Sequence, residues 1–186
     1  ALPRPPRLLL VAPDAAGDSD GTLEGDPLWR PGRGAVNGAV QFDGIDDCVR
    51  TPFVLDPAEA NFTVFAWVNG GGPGQAILSQ ADGADWLAVA SDGALKTDLK
   101  ASGRLSRPLG CPVVVADGTW RRVGLTWDGF HRILYVDDVE VARDAQGDVP
   151  GSTGGLLIGA GGGMEADSFW QGSIDDVRVY DRVVTP

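Results

Sequence analysis

The sequence consists largely of short segments in which apolar and polar residues alternate, and each segment stops at glycine or aspartate. This alternation sends successive side chains to opposite faces of an extended chain, as in a half-buried antiparallel strand. A chain of such segments predicts an all-β fold of antiparallel strands. The clearest segments are AVQFDGIDDCV (39–49), NFTVFAWV (61–68), DGTWRRVGLTWDG (117–129), RILYVDDVEVA (132–142), LLIGAG (156–161) and FWQGSIDDVRVYDRVVTP (169–186).

Turn-forming residues set the predicted boundaries of the strands. Residues 1–13 form a lead-in whose LLLV run could supply a first strand, and residues 14–34 read as a long acidic loop. Only DPAEA (56–60) suits a short helical turn. The predicted strands are 38–43, 46–52, 61–69, 75–80, 85–91, 94–100, 104–109, 120–127, 132–137, 139–143, 155–159, 169–172 and 174–181.

Three of these blocks resemble the laminin G-like jellyroll of the concanavalin A-like lectin and glucanase superfamily. FDGIDDCV (42–49) is similar to the family's FDGxDDYV block, and FTVFAWV (62–68) to its FTVSAWV strand. FWQGSIDDVRVYDRVVT (169–185) is similar to its closing F-x-G-x-IDDVRIYNRALT. The resemblance spans residues 14–186 and implies one concanavalin A-like jellyroll domain, an all-β sandwich of two antiparallel sheets. The superfamily includes sugar binders, adhesion modules and hydrolases, so the fold alone does not select a function.

Composition narrows the possible partners. The chain has 186 residues and a net charge of 15 − 26 = −11, which disfavours contact with nucleic-acid phosphates. No apolar run approaches the roughly 18 residues of a membrane-spanning helix. No initiator methionine is present, so we expect a piece of a larger chain. The family resemblance implies an extracellular or cell-surface location.

Calcium is the cofactor that the resemblance implies, as a structural ion that links the N-terminal loop to the last strand. Aspartate supplies oxygen ligands for Ca²⁺ and also forms turns. Three segments carry it densely: DSDG (18–21), FDGIDD (42–47) and IDDV (174–177). The alternative is that these aspartates only shape turns. The expected ligands are Asp176, Asp43, Asp20 and the carbonyl of Gly44, with Asp175 and Asp46 as alternatives.

Cys48 and Cys111 are the only cysteines in the chain. Two cysteines in an otherwise cysteine-free secreted domain are often partners, so we predict a disulfide between them. The alternative is a pair of buried thiols that act as small apolar residues.

Catalysis is not indicated by the sequence. Retaining glycosidases need two carboxylates about 5 Å apart, and none of Glu24, Glu59, Glu140 and Glu165 stands in a paired motif on one strand. His131, the single histidine, lies in a turn, and neither cysteine has a histidine nearby to suggest a nucleophile or a zinc site. We therefore expect no enzyme.

Sugar binding is the main functional hypothesis, because lectin-like sites combine aromatic rings with polar side chains. Trp67, Trp120 and Trp127 lie within strong strands and are expected in the core. The candidate ligand-binding residues are Trp86 with Asp85, Trp170 with Gln171, and His131 beside Phe130 and Arg132. The alternative for each is packing at a strand end. The sequence thus predicts a non-catalytic carbohydrate-binding module; the alternatives are a protein-interaction or adhesion module and an architectural spacer.

Overall fold

Two antiparallel sheets face each other across an apolar core in the computed structural model, which describes residues 11–101 and 106–186. Leu8–Leu10 of the predicted first strand and the start of predicted strand 104–109 lie outside the described residues. The strands are β1 Val11–Ala12, β2 Gly21–Glu24, β3 Leu28–Arg30, β4 Ala39–Asp43, β5 Cys48–Phe53, β6 Phe62–Gly70, β7 Ala76–Gln80, β8 Asp85–Val89, β9 Ala94–Thr97, β10 Leu109–Val114, β11 Arg121–Trp127, β12 His131–Val136, β13 Val139–Ala145, β14 Gly155–Ile158 and β15 Gln171–Tyr180.

The sheet order is that of a jellyroll sandwich. One sheet has the order β1-β2-β5-β14-β7-β8-β9-β10 and the other β13-β12-β11-β6-β15-β4-β3. Neighbouring strands pair antiparallel throughout the described residues. The predicted fold class, an all-β two-sheet sandwich of the concanavalin A-like type, is confirmed.

The core forms where alternating side chains of the two sheets meet. Strand β6 lies between β11 and β15 and buries Phe62, Val64, Ala66 and Val68 on its inner face. Strands β11 and β12 add buried residues in the same register, including Leu125. Burying a large apolar side chain contributes about 1.5–3 kcal/mol, so this interface supplies much of the driving force for folding.

The predicted and observed strands differ in three places. The loop predicted at 14–34 contains β2 and β3, two short strands that pair at or near the sheet edges with β5 and β4. Strand β10 begins at Leu109, where the predicted strand ended. The two predicted final strands are one strand, β15, with a bulge between Asp175 and Arg178.

The predicted disulfide is wrong. Cys48 and Cys111 are free, buried thiols. Cys48 lies on β5 and Cys111 on β10, which are five strand steps apart in the same sheet. At about 4.8 Å per step, the two residues are separated by roughly 24 Å, whereas a disulfide requires Cα atoms within about 7 Å.

Candidate functional site

The tryptophans predicted to be exposed sugar platforms are buried. Trp86 and Trp170 are both 0% exposed. Trp86 stacks on Phe62, with ring centroids 4.5 Å apart, and the Trp170 ring lies so close to Gly71 that a Cβ there would clash with it. The surface role is therefore wrong for both side chains, because each sits between the sheets rather than on a loop tip.

Both buried indoles nevertheless carry an unsatisfied donor. The Nε1 atoms of Trp86 and Trp170 have no hydrogen-bond partner among the described residues. A buried donor without an acceptor costs about 1–3 kcal/mol. A ligand that supplies a hydrogen-bond acceptor to such a donor removes this cost.

Trp86 lines an open cleft at one end of the sandwich, which we call the Trp86 cleft. Its volume is about 420 Å³, within the range of small-molecule sites. Its walls come from the Pro57 turn, the β7–β8 turn, the segment after β9 and the loop at 150–152. The lining residues are Pro57, Gln80, Asp82, Gly83, Ala84, Trp86, Asp98, Leu99, Lys100, Ala101, Pro150, Gly151 and Ser152.

Gln80 holds two of these walls together. Its side chain is buried, and its Nε2 donates to the carbonyls of Leu55 (2.9 Å), Ser152 (3.3 Å) and Gly154 (3.0 Å). Asp56 accepts a further hydrogen bond from the Ser152 N–H (3.2 Å). The loops that frame the cleft are therefore fixed by hydrogen bonds to a buried side chain, which limits their rearrangement on binding.

The cleft wall after β9, residues 98–101, is fixed by an ion pair and by a hydrogen bond from a charged side chain. Lys96 Nζ donates to Asp98 Oδ2 at 2.6 Å. The buried Arg132 guanidinium donates to the carbonyl of Leu99 at 2.6 Å. Asp98 and Lys100 thus line the cleft beside a backbone whose position is set from the opposite sheet.

The other predicted sugar ligands are divided between the two ends of the sandwich. Asp85 accepts from Ser79 Oγ (2.8 Å) and the Gly162 N–H (2.9 Å), so it braces the loop after β14. Trp170 and Gln171 lie near the start of β7, four residues and roughly 13 Å from the Gln80 end. The structure does not bring these residues into one site.

His131 lies at the cleft's end of the sandwich but does not line it. Its Nδ1 is 3.1 Å from Asp128 Oδ2, and its ring meets Phe130 edge-on at 4.7 Å. The Phe130 carbonyl accepts from the Gln146 N–H, and Gln146 Oε1 accepts from the Ala101 N–H. This turn therefore supports the cleft wall from outside.

The expected calcium ligands do not converge. Gln171 pairs with Asp43 in the β15–β4 register, so Asp176, five residues further along, lies roughly 17 Å away. Asp176 is ion-paired to Arg178 at 3.0 Å. Asp20 precedes β2, roughly 13 Å from the Glu24 end that faces the Asp43 turn. A site shared by Asp43, Asp20 and Asp176 is thus wrong.

The one acidic group with metal-ligand spacing in the described chain is Asp43, Asp46 and Asp47, whose carboxylate oxygens lie within 4.8 Å of one another. Gly44 turns the backbone between them with φ = 80°. Asp47 is buried and accepts from the N–H groups of Asp26 (2.7 Å) and Asp43 (3.0 Å). Burial, and secondarily repulsion from Asp43 and Asp46, raise the pKa of Asp47. An oxygen-rich irregular turn of this kind fits Ca²⁺.

Two of the four glutamates, Glu24 and Glu140, have the wrong electrostatics for a general acid. Glu24 is bound by Arg50 (2.8 Å) and Glu140 by Arg143 (2.9 Å). In each case the arginine hydrogen bond lowers the pKa of the carboxyl group, whereas a glycosidase acid needs a raised pKa.

In the part of the chain that the structure describes, no helix is long and apolar enough to span a membrane.

Comparison of the chain with models of known protein families finds one match. The family model of the Concanavalin A-like lectin/glucanases superfamily matches residues 42–186. A search of curated protein sequences found no match.

Solved structures with the same fold are distant in sequence. The binding domain of Paraclostridial Mosquitocidal Protein 1 superposes with a TM-score of 0.72 at 9% identity, covering 94% of this chain and 48% of that one. Domain 4 of AbnA, a GH43 extracellular arabinanase from Geobacillus stearothermophilus in complex with arabinotriose, superposes with a TM-score of 0.69 at 17% identity, covering 92% of this chain and 87% of that one. The botulinum neurotoxin serotype D ligand binding domain in complex with N-acetylneuraminic acid superposes with a TM-score of 0.65 at 12% identity, covering 94% of this chain and 47% of that one. The chain spans about half the length of the toxin chains.

Proposed function

This chain belongs to the Concanavalin A-like lectin/glucanases superfamily, and on that premise we propose that it is a non-catalytic carbohydrate-binding module of a larger extracellular or cell-surface protein. The proposed site is the Trp86 cleft. The relatives that share the fold include a toxin binding domain and one domain of an extracellular arabinanase, which supports a binding role within a longer chain.

The observation that carries the proposal is that Trp86, whose buried Nε1 has no hydrogen-bond partner among the described residues, lines an open cleft. A sugar hydroxyl is both acceptor and donor. A hydroxyl that enters the cleft and displaces the atoms covering the buried Trp86 indole can accept from its N–H and donate to a carboxylate such as Asp82 or Asp98, both of which line the cleft. Satisfying a buried donor recovers the free energy that its desolvation costs.

The net charge of the chain favours a neutral glycan over a sialylated one, because the charges in and beside the cleft balance each other. Two aspartates and one lysine line it, and Asp98 is already ion-paired to Lys96. The chain as a whole carries a net charge of −11, which repels anionic ligands at low ionic strength. Arabinotriose, the ligand of the arabinanase domain, is an example of the neutral class.

Calcium enters the proposal as a structural ion at Asp43, Asp46 and Asp47. Asp43 Oδ1 and both Asp47 oxygens accept backbone hydrogen bonds within or beside this turn. Burial, and secondarily repulsion from Asp43 and Asp46, raise the pKa of Asp47, and a cation among the three carboxylates offsets that repulsion. The turn lies away from the Trp86 cleft, so the ion would stabilise the fold rather than contact the sugar.

A protein-interaction role is the second candidate, and a specific surface favours it. Leu28 and Trp29 of the edge strand β3 are 51% and 62% exposed. Exposed apolar side chains on a short edge strand are suited to pairing with another chain. This role predicts retention of a protein partner and no response to glycans.

A glycan array of neutral and sialylated oligosaccharides, run with calcium and with EGTA, tests the proposal. We expect neutral glycans to bind in both buffers. Asp82→Asn removes a cleft carboxylate, while Asp92→Asn makes the same change in the matching Asp-Gly-Ala turn between β8 and β9. The first variant should weaken binding several-fold and the second should not. Binding of sialylated glycans alone, or equal effects of the two variants, would overturn the assignment.

A further inference from the structure

The loop between β14 and β15, residues 159–170, folds over the outer face of the eight-stranded sheet. Val49 of β5 and Leu156 of β14 point into the main core, so their neighbours along each strand point outward. A separate apolar cluster lies on that outer side, and Met164 of the loop packs against it. We call it the outer cluster; its buried members are Cys48, Leu157, Ala160 and Phe169.

The two ends of the loop are fixed by backbone hydrogen bonds. The Trp170 N–H donates to the Gly159 carbonyl at 2.8 Å, and the Ala76 N–H of β7 donates to the Ser168 carbonyl at 2.9 Å. The tip of the loop, residues 163–167, is exposed except for its methionine, which is partly buried. The position of the tip against the sheet therefore depends on that one side chain.

The sulfur of Met164 contacts a charged group on β5. Arg50 Nη2 lies 3.0 Å from Met164 Sδ, and the same guanidinium donates through Nε to Glu24 Oε1 at 2.8 Å. A thioether sulfur is a weak acceptor, but this donor is charged and already oriented by its ion pair. Met164 also has φ = 54°, a left-handed conformation that residues with a side chain rarely adopt. Such a conformation persists where surrounding contacts hold it, and here the contact with Arg50 and the packing on the outer cluster do so.

Oxidation of this sulfur to the sulfoxide is incompatible with the contact. If the added oxygen points toward Arg50, a hydrogen bond of about 2.9 Å to that oxygen places the sulfur further from Nη2 than the present 3.0 Å. If the oxygen points toward solvent, the positively polarised sulfur faces a positive guanidinium. In both orientations Met164 moves away from β5, and the polar sulfoxide no longer suits an apolar cluster.

We propose that Met164 is a site of reversible oxidation by peroxide, at which formation of the sulfoxide releases the loop tip and opens the outer cluster. The thioether sulfur attacks one oxygen of hydrogen peroxide, the O–O bond breaks, and the departing hydroxide takes the proton of the transferred oxygen to leave as water. The sulfur loses two electrons and the peroxide gains them. A methionine sulfoxide reductase reverses the step by oxidising two thiols to a disulfide, and the oxygen leaves as water.

The site lies on the outer face of the sheet, and the inference does not depend on sugar binding at the Trp86 cleft. Met164 is the only methionine in the chain, so methionine oxidation can be assigned to this residue without ambiguity. Cys48 reports on the outer cluster, where it is 0% exposed. Cys111 is the matched control, because it belongs to the main core instead.

Treatment of the chain with hydrogen peroxide tests the proposal. Peptide mapping should find one added oxygen on Met164. Alkylation of Cys48 by iodoacetamide, which is slow in the untreated chain, should then become about tenfold faster, while the rate at Cys111 stays the same. Incubation with methionine sulfoxide reductase and dithiothreitol should restore the slow rate at Cys48.

Met164→Leu provides the matched variant, because leucine keeps an apolar side chain on the outer cluster but has no sulfur to oxidise. Its Cys48 should be alkylated slowly both before and after peroxide treatment. Three results would each overturn the proposal. They are an oxidised Met164 with an unchanged rate at Cys48, an acceleration by peroxide that persists in Met164→Leu, and a Met164 left unmodified under conditions that oxidise an unstructured methionine peptide.

Discussion

Arg132 on β12 and Asp144 on β13 lie directly opposite each other, and the completely buried guanidinium of Arg132 donates to the Asp144 carboxylate through Nε at 2.9 Å. The same guanidinium donates to the carbonyls of Leu99 and Arg107. One buried charge therefore ties the edge of the seven-stranded sheet to the segment that forms a wall of the Trp86 cleft.

Removing the Asp144 carboxylate, the counter-charge of Arg132, should lower the free energy of unfolding. Asp144→Asn leaves Arg132 buried without a negative partner, and we expect a loss of about 3 kcal/mol in the free energy of unfolding, measured by urea denaturation. Glu140→Gln breaks the exposed Arg143 pair on the same strand and should cost less than about 1 kcal/mol. Similar losses for both variants would show that the Arg132 charge is not held as described.

The two cysteines should behave as free thiols. A thiol assay in denaturant should return two thiols per chain, because Cys48 and Cys111 lie far apart in one sheet. In the native protein, burial raises the pKa of Cys48 to about 12, with Glu24 adding to the shift. Cys48 should therefore not react with alkylating reagents at pH 8, and a reducing agent should leave the melting temperature unchanged. Recovery of no thiols after denaturation would contradict the structure.

Lowering the pH should reduce the stability of the folded state, partly through protonation of the Asp117 carboxylate. A hydrogen bond from the Thr119 hydroxyl, followed by those from Arg121, lowers the pKa of Asp117 from 3.8 to about 2. A carboxyl group with a lowered pKa in the folded state stabilises the fold above its ordinary pKa. That contribution is lost as pH falls from about 4 to about 2. Asp117→Asn should lower the urea midpoint at pH 7 and flatten its dependence between pH 4 and pH 2; an unchanged slope would contradict this.

Calcium should raise the melting temperature if it binds the Asp43 turn, because a ligand bound only to the folded state stabilises it. Asp46→Asn should abolish the rise. Asp20→Asn and Asp176→Asn, at the positions first expected from the sequence, should retain it. Loss of the calcium effect in Asp176→Asn but not in Asp46→Asn would place the ion near β15 instead.

Local alternation was enough to predict most strands, since β6 and β11 read as regular strands in the sequence and pair as such. It could not predict β2 and β3, which are short and acquire their pairing from β5 and β4. The loop-side positions of Trp86 and Trp170 indicated exposure, yet packing between the sheets buries both.

The candidate site was only partly predictable. The sequence singled out Trp86, which lines the proposed cleft, but Gln80, Asp98 and Ser152 gave no signal, because they come from three separate segments. Only the sheet order brings those segments to one end of the sandwich. The distance between Cys48 and Cys111 likewise depends on strand order, which residue spacing does not encode.

The central claim is that the indole N–H of Trp86 binds a neutral glycan, and calorimetric titration of two variants tests it most directly. Trp86→Phe removes the buried N–H donor of a residue that lines the cleft. Trp170→Phe removes an equally buried, equally unpartnered donor at the opposite end of β7. With a neutral oligosaccharide from the array, we predict that Trp86→Phe weakens affinity about five- to tenfold and that Trp170→Phe leaves it unchanged. Equal affinities for the wild type and Trp86→Phe, or a loss specific to Trp170→Phe, would contradict the account.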